Sequence, residues 1–348
     1  MNIDLLAKIC QIPGTSGFEH KVRAFVQNEI SEFVDEIEVD NMGNLYAIKR
    51  GVASKRVMVA AHMDEIGFMV KHIDDNGFIR FTTLGGFDPK TLTAQRVIVH
   101  GKKDLTGVMG SKPIHVMSAD ERTKVAKIED YFIDLGLPKE EVEKNITIGD
   151  PITRERDLIE MGNCVNSKSL DNRVAVYILI ETLKKLKGKT IPYDFYAVFT
   201  VQEEVGLRGA KVAGHKVNPD FGFGLDTTIA YDLPGAQVHE YVTKLGAGTA
   251  IKIMDASAIC DTRMVRYMKN QAIENKIKWQ PEILTAGGTD TAGIQSMAKD
   301  GCITGAVSIP TRNLHQVIEM ADKSDIDASV ALLVACVSNL ESFDYSWQ

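Results

Sequence analysis

The run VMVAAHMD (57–64) sets the architecture of this chain, because apolar residues pass directly into polar side chains that can bind a metal. A continuous apolar run of this length is typical of a central strand that is buried on both faces of an α/β sheet. His62 and Asp64 follow the run, and open α/β sheets build their sites at the carboxyl ends of strands. Because alternate residues of an extended segment share a face, we expect Asp64 near His62, as a ligand or as the acceptor that orients its imidazole.

Other segments continue the pattern of strand and helix. FYAVFTV (195–201) and FGFGL (221–225) predict two more buried strands. Helical periodicity is found over residues 4–12, 19–34, 171–187 and about 325–341. Strands that alternate with helices predict an α/β fold, in which a central sheet is flanked by helices.

The region 67–163 has a different pattern. Short β-like runs (FMVKHI, GFIRFTTL, QRVIVHG and LTGVMG) are separated by turn signals such as Asn76-Gly77 and Gly85-Gly86, and one helix is expected near 121–135. We therefore predict a small β-rich domain at 67–163, inserted into a discontinuous main domain made of 1–66 and 164–348.

The composition excludes several classes of protein. The 348 residues are 44% hydrophobic and 25% charged, as in a soluble globular protein, and no apolar run approaches the roughly 18 residues of a membrane span. The net charge of −7 argues against nucleic acid and acidic membrane surfaces as partners. Asp4 lies in an N-terminus that does not resemble a signal peptide. The scattered cysteines predict reduced thiols of a cytoplasmic protein rather than a thiolate metal site, and they are Cys10, Cys164, Cys260, Cys302 and Cys336.

Further candidate ligands lie at the ends of the predicted elements. Glu203 and Glu204 follow one buried strand, Asp226 follows the next, Asp171 opens a helix and His315 lies in the loop SIPTRNLHQ. Taken singly, each has an ordinary explanation as a helix cap, an acidic turn or a surface loop. Together, two imidazoles and three carboxylates form the donor set for two divalent ions that share one carboxylate. This predicted set is His62, Asp171, Glu204, Asp226 and His315.

Glu203 is not needed as a ligand in that set. Neighbouring residues at a strand end point in different directions, so one glutamate can reach a metal while the other reaches a water molecule. The pair therefore suggests a ligand, Glu204, beside a general base, Glu203.

Six motifs, AAHMDEIGFMV, SLDNRVAV, EEVGLRGA, GLDTT, GGTDTAG and SIPTRNLH, together resemble the tetrahedral-aminopeptidase family of dinuclear metallo-aminopeptidases. Members of that family are described as glutamyl, leucyl or deblocking aminopeptidases, and sometimes as endoglucanases. The resemblance covers nearly the whole chain. It implies a zinc-exopeptidase-like domain with a mixed central sheet, interrupted by a β-rich dimerisation domain, and an enzyme that removes N-terminal residues from short peptides.

The resemblance also implies a role for each matching residue. The first metal would be held by His62 and Asp226, the second by Glu204 and His315, with Asp171 as the bridge, Glu203 as general base and Asp64 as the support of His62. Two zinc or cobalt ions are expected, and manganese also fits. Thr289 and Asp290 of GGTDTAG are candidates for the substrate pocket, although an ordinary Gly-rich turn is the slightly favoured explanation.

Several alternatives stay open at this point. A metal-dependent amidase or deacylase could use the same ligands on N-acylated substrates. A glycoside hydrolase is disfavoured because its two carboxylates must flank a bond at about 5–9.5 Å, and a binding protein without chemistry is disfavoured by the complete ligand set. A glutamyl preference would need a cation in the pocket, for which the candidates are Arg208, Arg263, Arg266 and Arg312.

The same resemblance bears on assembly. Family members commonly form hollow tetrahedral dodecamers built from dimers, so a homo-oligomer is expected. GSKPIHVM (110–117) resembles a mobile loop that approaches a neighbouring subunit's site, and an ordinary Pro-containing turn explains it equally well.

Overall fold

The computed structural model describes residues 1–347 and confirms the predicted α/β class, with a mixed central sheet and a separate small barrel of strands. The strands, numbered along the chain, are β1 (Glu36–Val39), β2 (Leu45–Lys49), β3 (Ala53–His62), β4 (Gly67–Ile73), β5 (Ile79–Leu84), β6 (Arg96–His100), β7 (Asp104–Gly110), β8 (Phe132–Asp134), β9 (Pro151–Arg154), β10 (Ile159–Met161), β11 (Cys164–Ser167), β12 (Tyr193–Thr200), β13 (Phe221–Ile229), β14 (Thr249–Met254), β15 (Trp279–Ile283), β16 (Ile303–Arg312) and β17 (Glu319–Asp322).

The helices alternate with these strands, as the periodicity predicted. The α-helices are α1 (Ile3–Gln11), α2 (His20–Ile30), α3 (Ala119–Arg122), α4 (Lys139–Asn145), α5 (Leu170–Leu186), α6 (Arg208–Val217), α7 (Thr262–Glu274), α8 (Asp290–Met297) and α9 (Lys323–Ser338). Short 3-10 helices cover Pro89–Leu92, Ile114–Val116, Ile128–Asp130, Val238–Glu240 and Leu340–Ser342. Within residues 1–347, no helix combines the length and the apolar character needed to cross a membrane.

The main sheet has the strand order β1-β2-β12-β3-β13-β16-β17-β11-β10, and β14 and β15 branch from β16. Its centre is parallel: β3 lies between β12 and β13, and β13 also pairs with β16. The carboxyl ends of these parallel strands meet at one edge of the sheet, so the residues that follow them are brought together.

Helices cover both faces of this sheet, because β3 is apolar on both sides. Val57, Val59 and Ala61 face a core that includes helices α1, α2, α5, α7 and α9. The intervening residues Met58 and Ala60 face a second core, against α6 and α8. The continuous apolar run thus supplies two cores at once, which fixes a three-layer arrangement.

The strands β4, β5, β8, β7, β6 and β9 close into a barrel in that order, and its own apolar core includes Phe68, Val99 and Ile133. Closure leaves the barrel without the unpaired edge strands that invite further pairing. The next strand, β10, pairs with β11 of the main sheet, so the chain returns to that sheet before residue 163.

Two details of the sequence interpretation are wrong. The helix expected near 121–135 is limited to α3 and a 3-10 turn, because Ile133 pairs with β5 and β7 and closes the barrel. The strand expected to end at residue 225 continues through Asp226 to Ile229, because it pairs with β16 as far as Thr311. In both cases pairing with distant strands overrides the local signal.

Candidate functional site

One half of the candidate site surrounds His62, the last residue of β3. Its Nε2 atom lies 3.4 Å from Asp171 Oδ1, 3.7 Å from Asp226 Oδ1 and 3.8 Å from Glu203 Oε2. His62 is 1% exposed. Its Nδ1 lies 3.1 Å from the carbonyl oxygen of Asp64, which can only accept, so Nδ1 carries the proton and Nε2 is free to bind a cation.

The other half surrounds His315, in the loop after β16. Its Nε2 atom lies 3.4 Å from Asp171 Oδ2 and 3.6 Å from Glu204 Oε2. Its Nδ1 lies 2.9 Å from the carbonyl oxygen of Gly86, in the barrel, which again leaves Nε2 free. Asp171 therefore stands between the two histidines and turns one oxygen toward each.

The five predicted ligands and Glu203 lie in this one cluster. Ligand atoms of His62, Asp171 and Glu204 lie within 4.8 Å of one another, and so do those of His62, Glu203 and Asp226. Glu203 is thus as close to His62 as a ligand would be, and its role as base belongs to the proposal below.

Asp64 does more than the sequence predicted. Its carboxylate accepts the backbone N–H groups of Glu203 and Glu204 at 3.0 and 3.2 Å, and the hydroxyl of Ser16 at 2.6 Å. The same carboxylate lies 3.4 Å from His62 Nδ1. One fully buried group therefore fixes the end of β3 and the turn after β12 together.

Asp171 does not cap helix α5, which was the ordinary alternative. Asp171 and Asn172 have non-helical backbone angles, and no side chain caps the helix at Ser169. The Asp171 backbone N–H donates to Glu319 Oε2 at 2.9 Å, and the Asn172 side chain donates to Leu225 O at 2.9 Å. These contacts leave the Asp171 carboxylate directed at the histidines. Sequence reasoning missed Glu319 because no motif marks it.

Burial controls the protonation of three of the carboxyls. It raises the pKa of Glu204 to about 8, and the charge of Asp171 adds to this effect. It also raises the pKa of Glu203 well above its usual range, although the charge of His62 opposes the shift. Burial likewise raises the pKa of Asp226. These groups repel one another when ionised, and a cation among them would relieve that repulsion.

The histidines and Asp171 shift in the opposite sense. Burial alone would lower the pKa of His315, but its hydrogen bond to Asp171 and the charge of Glu204 raise it to about 10. Burial would also lower the pKa of His62, but the surrounding carboxylates, Glu203 first, raise it. Although burial opposes it, the two histidines lower the pKa of Asp171. The raised pKa values of both histidines favour a proton on each Nε2 in metal-free protein, at the positions that divalent ions would take.

The donor chemistry of the cluster fits divalent metals. Imidazole nitrogen and carboxylate oxygen are suitable ligands for zinc and related ions. The Oε1 atom of Glu204 is buried and has no hydrogen-bond partner among residues 1–347. A buried acceptor without a donor is costly, so an ion there would satisfy it.

A cavity of about 590 Å³ opens from the cluster, a size suited to a small ligand. Its wall includes Ile229, Leu284 and Leu314. Thr289 also lines it, whereas Asp290 is not among the lining residues and its carboxylate accepts a hydrogen bond from the Thr200 hydroxyl.

The cavity wall also holds a lysine, Lys252, that sequence reasoning missed. Lys252 is 1% exposed, and its Nζ lies 3.0 Å from carboxylate oxygens of both Asp255 and Glu282. Within the described part of the chain, none of the candidate arginines Arg208, Arg263, Arg266 and Arg312 lines this cavity. Arg263 and Arg312 are instead paired with Asp261 and Asp232.

Comparison with known proteins places this geometry in context. The model of a family described as M42 glutamyl aminopeptidase matches residues 43–332. The chain is 42% identical to a protein of Acetivibrio thermocellus named as an aminopeptidase, with 96% of this chain and 98% of that protein covered. It is 32% identical to a lysyl aminopeptidase of Pyrococcus furiosus, with 99% of each covered. It is also 32% identical to a glutamyl aminopeptidase of Lactococcus lactis subsp. cremoris, with 97% and 96% covered.

Solved structures of two peptidases superpose closely on this chain. An aminopeptidase of the archaeon Desulfurococcus kamchatkensis superposes with a TM-score of 0.93 at 36% identity, covering 97% of this chain and 94% of the other. The TET1 peptidase of Pyrococcus horikoshii, which can assemble into a tetrahedron or a large octahedral shell, superposes with a TM-score of 0.86 at 34% identity. That match covers 96% of this chain and 98% of the other.

Proposed function

This chain belongs to the M42 glutamyl aminopeptidase family, and we propose that it removes N-terminal residues from short peptides with two divalent metal ions. The observation that carries the proposal is the position of Asp171. Its two carboxylate oxygens lie 3.4 Å from the Nε2 atoms of two different histidines, His62 and His315. A carboxylate that faces two imidazoles at once suits a pair of ions that share it.

The proposed ligands divide into two groups around Asp171. His62 and Asp226 would hold one ion, and Glu204 and His315 the other, with Asp171 common to both. Zinc or cobalt suits this mixture of nitrogen and oxygen donors. When bound, the ions supply Lewis-acid chemistry, which lowers the pKa of water and polarises a carbonyl group.

Glu203 is the proposed general base. Its side chain is 8% exposed, and Asp64 holds its backbone N–H at 3.0 Å. The carboxylate takes a proton from water as the water oxygen bonds to the carbon of the first peptide carbonyl. It then gives that proton to the leaving nitrogen as the C–N bond breaks, which regenerates the carboxylate.

Asp64 is the proposed positioning residue for this step, because it contacts both His62 and the backbone of Glu203. The cavity would receive the first side chain of the peptide, with Thr289 on its wall and Asp290 behind it. The free α-amine of the substrate would then face the carboxylates of the cluster. Because only the first residue of a peptide carries a free α-amine, this placement restricts cleavage to the first peptide bond.

The test is hydrolysis of aminoacyl-anilides of Glu, Leu, Lys and Ala by metal-free protein, before and after Zn²⁺ or Co²⁺ is added. We expect hydrolysis only after metal is added. The matched control is the N-acetylated leucyl-anilide, which should not be cleaved because it lacks the free amine. Stoichiometric metal binding without cleavage of any of these substrates would contradict the proposal. Equal cleavage of the acetylated substrate would favour the alternative, a metal-dependent amidase or deacylase.

We further propose that the protein works as a homo-oligomer, with the region 67–163 as its dimerisation domain. The support is the family membership and the similarity to the TET1 peptidase, which can assemble into closed shells. A dimer that builds a tetrahedral dodecamer is the proposed form. The cytoplasmic location expected from the cysteines stays a prediction.

A further inference from the structure

We propose that Arg154, the last residue of barrel strand β9, is a positioning residue for the half of the metal centre formed by His315. In this proposal, which rests on the proposed function, Arg154 determines how tightly that half binds its ion. The barrel would then be part of the catalytic machinery as well as a candidate for subunit contact.

Arg154 is held rigidly in the interface between the barrel and the main sheet. It is 3% exposed, and its Nη1 donates a hydrogen bond to the backbone carbonyl of His315 at 3.1 Å. Its guanidinium lies over the ring of Phe87, 5.6 Å from the centroid. Phe87 in turn stacks on Phe68 of the barrel core at 4.6 Å. A planar cation stacked on an aromatic ring loses little freedom when it donates such a bond.

The loop that carries His315 needs external support. Asn313 and His315 both have left-handed backbone angles, with φ of 58° and 61°. Such angles are unfavourable for residues with a Cβ atom and persist only when surrounding contacts impose them. The His315 side chain is also 38% exposed, whereas that of His62 is 2% exposed. His315 is therefore the less firmly held of the two histidines.

The barrel supplies that support at two points. The Gly86 carbonyl accepts the Nδ1 proton of the His315 ring, and Arg154 holds the backbone of the same residue. The Gly85-Gly86 turn fits tightly, because a Cβ at Gly85 would lie 2.4 Å from Ile66 Cγ2 and 3.4 Å from Glu204 Cβ. The turn thus packs against both proposed ligands of the second ion.

The bridging residue is held separately, by Glu319. Glu319 Oε2 accepts the backbone N–H of Asp171. Among residues 1–347, Glu319 Oε1 and Arg154 Nε are both buried without a hydrogen-bond partner. Neither atom bonds the other, so within the described residues Arg154 is hydrogen-bonded to the His315 loop and not to the residue that holds the bridge.

The opposite half of the centre is built without these contacts. His62 and Asp226 are residues of the paired strands β3 and β13, and Asp64 supports His62 from the main sheet. Loss of the Arg154 guanidinium should therefore weaken the binding of the ion at His315 and leave the binding of the ion at His62 unchanged.

The test measures Co²⁺ binding to metal-free protein by calorimetry and equilibrium dialysis, for wild type, Arg154→Met and Arg154→Lys. The matched control is Arg96→Met, since Arg96 lies on β6 of the same barrel, is 63% exposed and pairs with Glu155. Residues that orient a ligand change metal affinity by about 10–100-fold when they are replaced. We expect a weakening of that size at one of two sites in Arg154→Met, a smaller one in Arg154→Lys, and wild-type binding in Arg96→Met.

The outcomes separate this inference from the proposed function. If wild type binds two ions and Arg154→Met binds both unchanged, or weakens both equally, the inference is wrong. If Arg154→Met does not fold, Arg154→Lys decides, and unchanged binding at both sites in that variant overturns the inference. If wild type binds no ions, the proposed function fails and the inference fails with it.

Discussion

At the scale of single residues, Glu203 is the group whose role is most open to a direct test. The variant Glu203→Gln keeps the size and the backbone contact to Asp64 but cannot accept a proton. General bases contribute about 10²–10⁴-fold to rate, so we expect kcat to fall by about 10²-fold or more while both ions stay bound. Metal content by mass spectrometry and steady-state kinetics on a leucyl-anilide provide the measurement. Turnover like that of wild type would remove Glu203 from the mechanism, and loss of one ion would make it a ligand.

The pH dependence of metal binding follows from Glu204. Burial and Asp171 raise its pKa to about 8, so in metal-free protein it is protonated at neutral pH and an ion must displace that proton. Protons compete below each pKa, so affinity should rise with pH up to about 8 for Glu204 and further, up to about 10, for His315, by about tenfold per pH unit for each displaced proton. Calorimetry in buffers of different ionisation enthalpy measures the protons released. The variant Glu204→Gln should show a flatter profile, and a wild-type affinity independent of pH would contradict this account.

The sequence can locate some residues of the site and not others, for a physical reason. His62, Glu203 and Glu204 follow apolar runs, so their position at a strand end is visible in the pattern itself. Arg154 and Lys252 act through burial against partners far along the chain, and no local pattern marks such contacts. Their roles depend on the folded geometry, which a pattern of apolar residues does not specify.

At the scale of elements, the same contrast separates the central strands from the rest. The runs that form β3, β12 and β13 are apolar at nearly every position because helices cover both faces of the sheet, and this makes them easy to predict. β8 has only three residues and exists because it pairs with β5 and β7. Its local sequence favoured a helix, and the closure of the barrel decided otherwise.

The cavity wall formed by β13 and β14 predicts a substrate preference. Lys252 carries one positive charge beside the carboxylates of Asp255 and Glu282, so the group has a net charge of about −1 when ionised. A like charge placed opposite another is unfavourable, so kcat/KM for a glutamyl-anilide should be about tenfold or more below that for a leucyl-anilide. Asp255→Asn should narrow this difference, whereas Asp232→Asn, outside the cavity, should not. Faster cleavage of the glutamyl substrate by wild type would contradict a net negative charge in this wall.

At the scale of the whole molecule, the site belongs to both parts of the chain. The strands, loops and helices around the main sheet supply every proposed ligand, and the barrel supplies the Gly86 carbonyl and the Arg154 guanidinium that contact His315. A barrel that serves only subunit contact would not need such contacts. The two parts are therefore expected to act as one unit in metal binding, and contacts between subunits at the barrel can influence the site.

Exposed apolar side chains on the main domain predict the assembly state. Val238 is 77% exposed, and Tyr241, Pro281 and Ile283 line an adjacent groove. Because the proposed function includes a homo-oligomer, we predict that this surface contacts a second copy of the chain. We expect light scattering to give a mass of several subunits for wild type and smaller species for Val238→Asp, because a buried charge without a partner opposes association. Val52→Asp is the matched control, since Val52 is 72% exposed in the loop before β3 and should leave the mass unchanged. A monomeric wild type, or a Val238→Asp variant with the mass of wild type, would show that this surface does not join subunits.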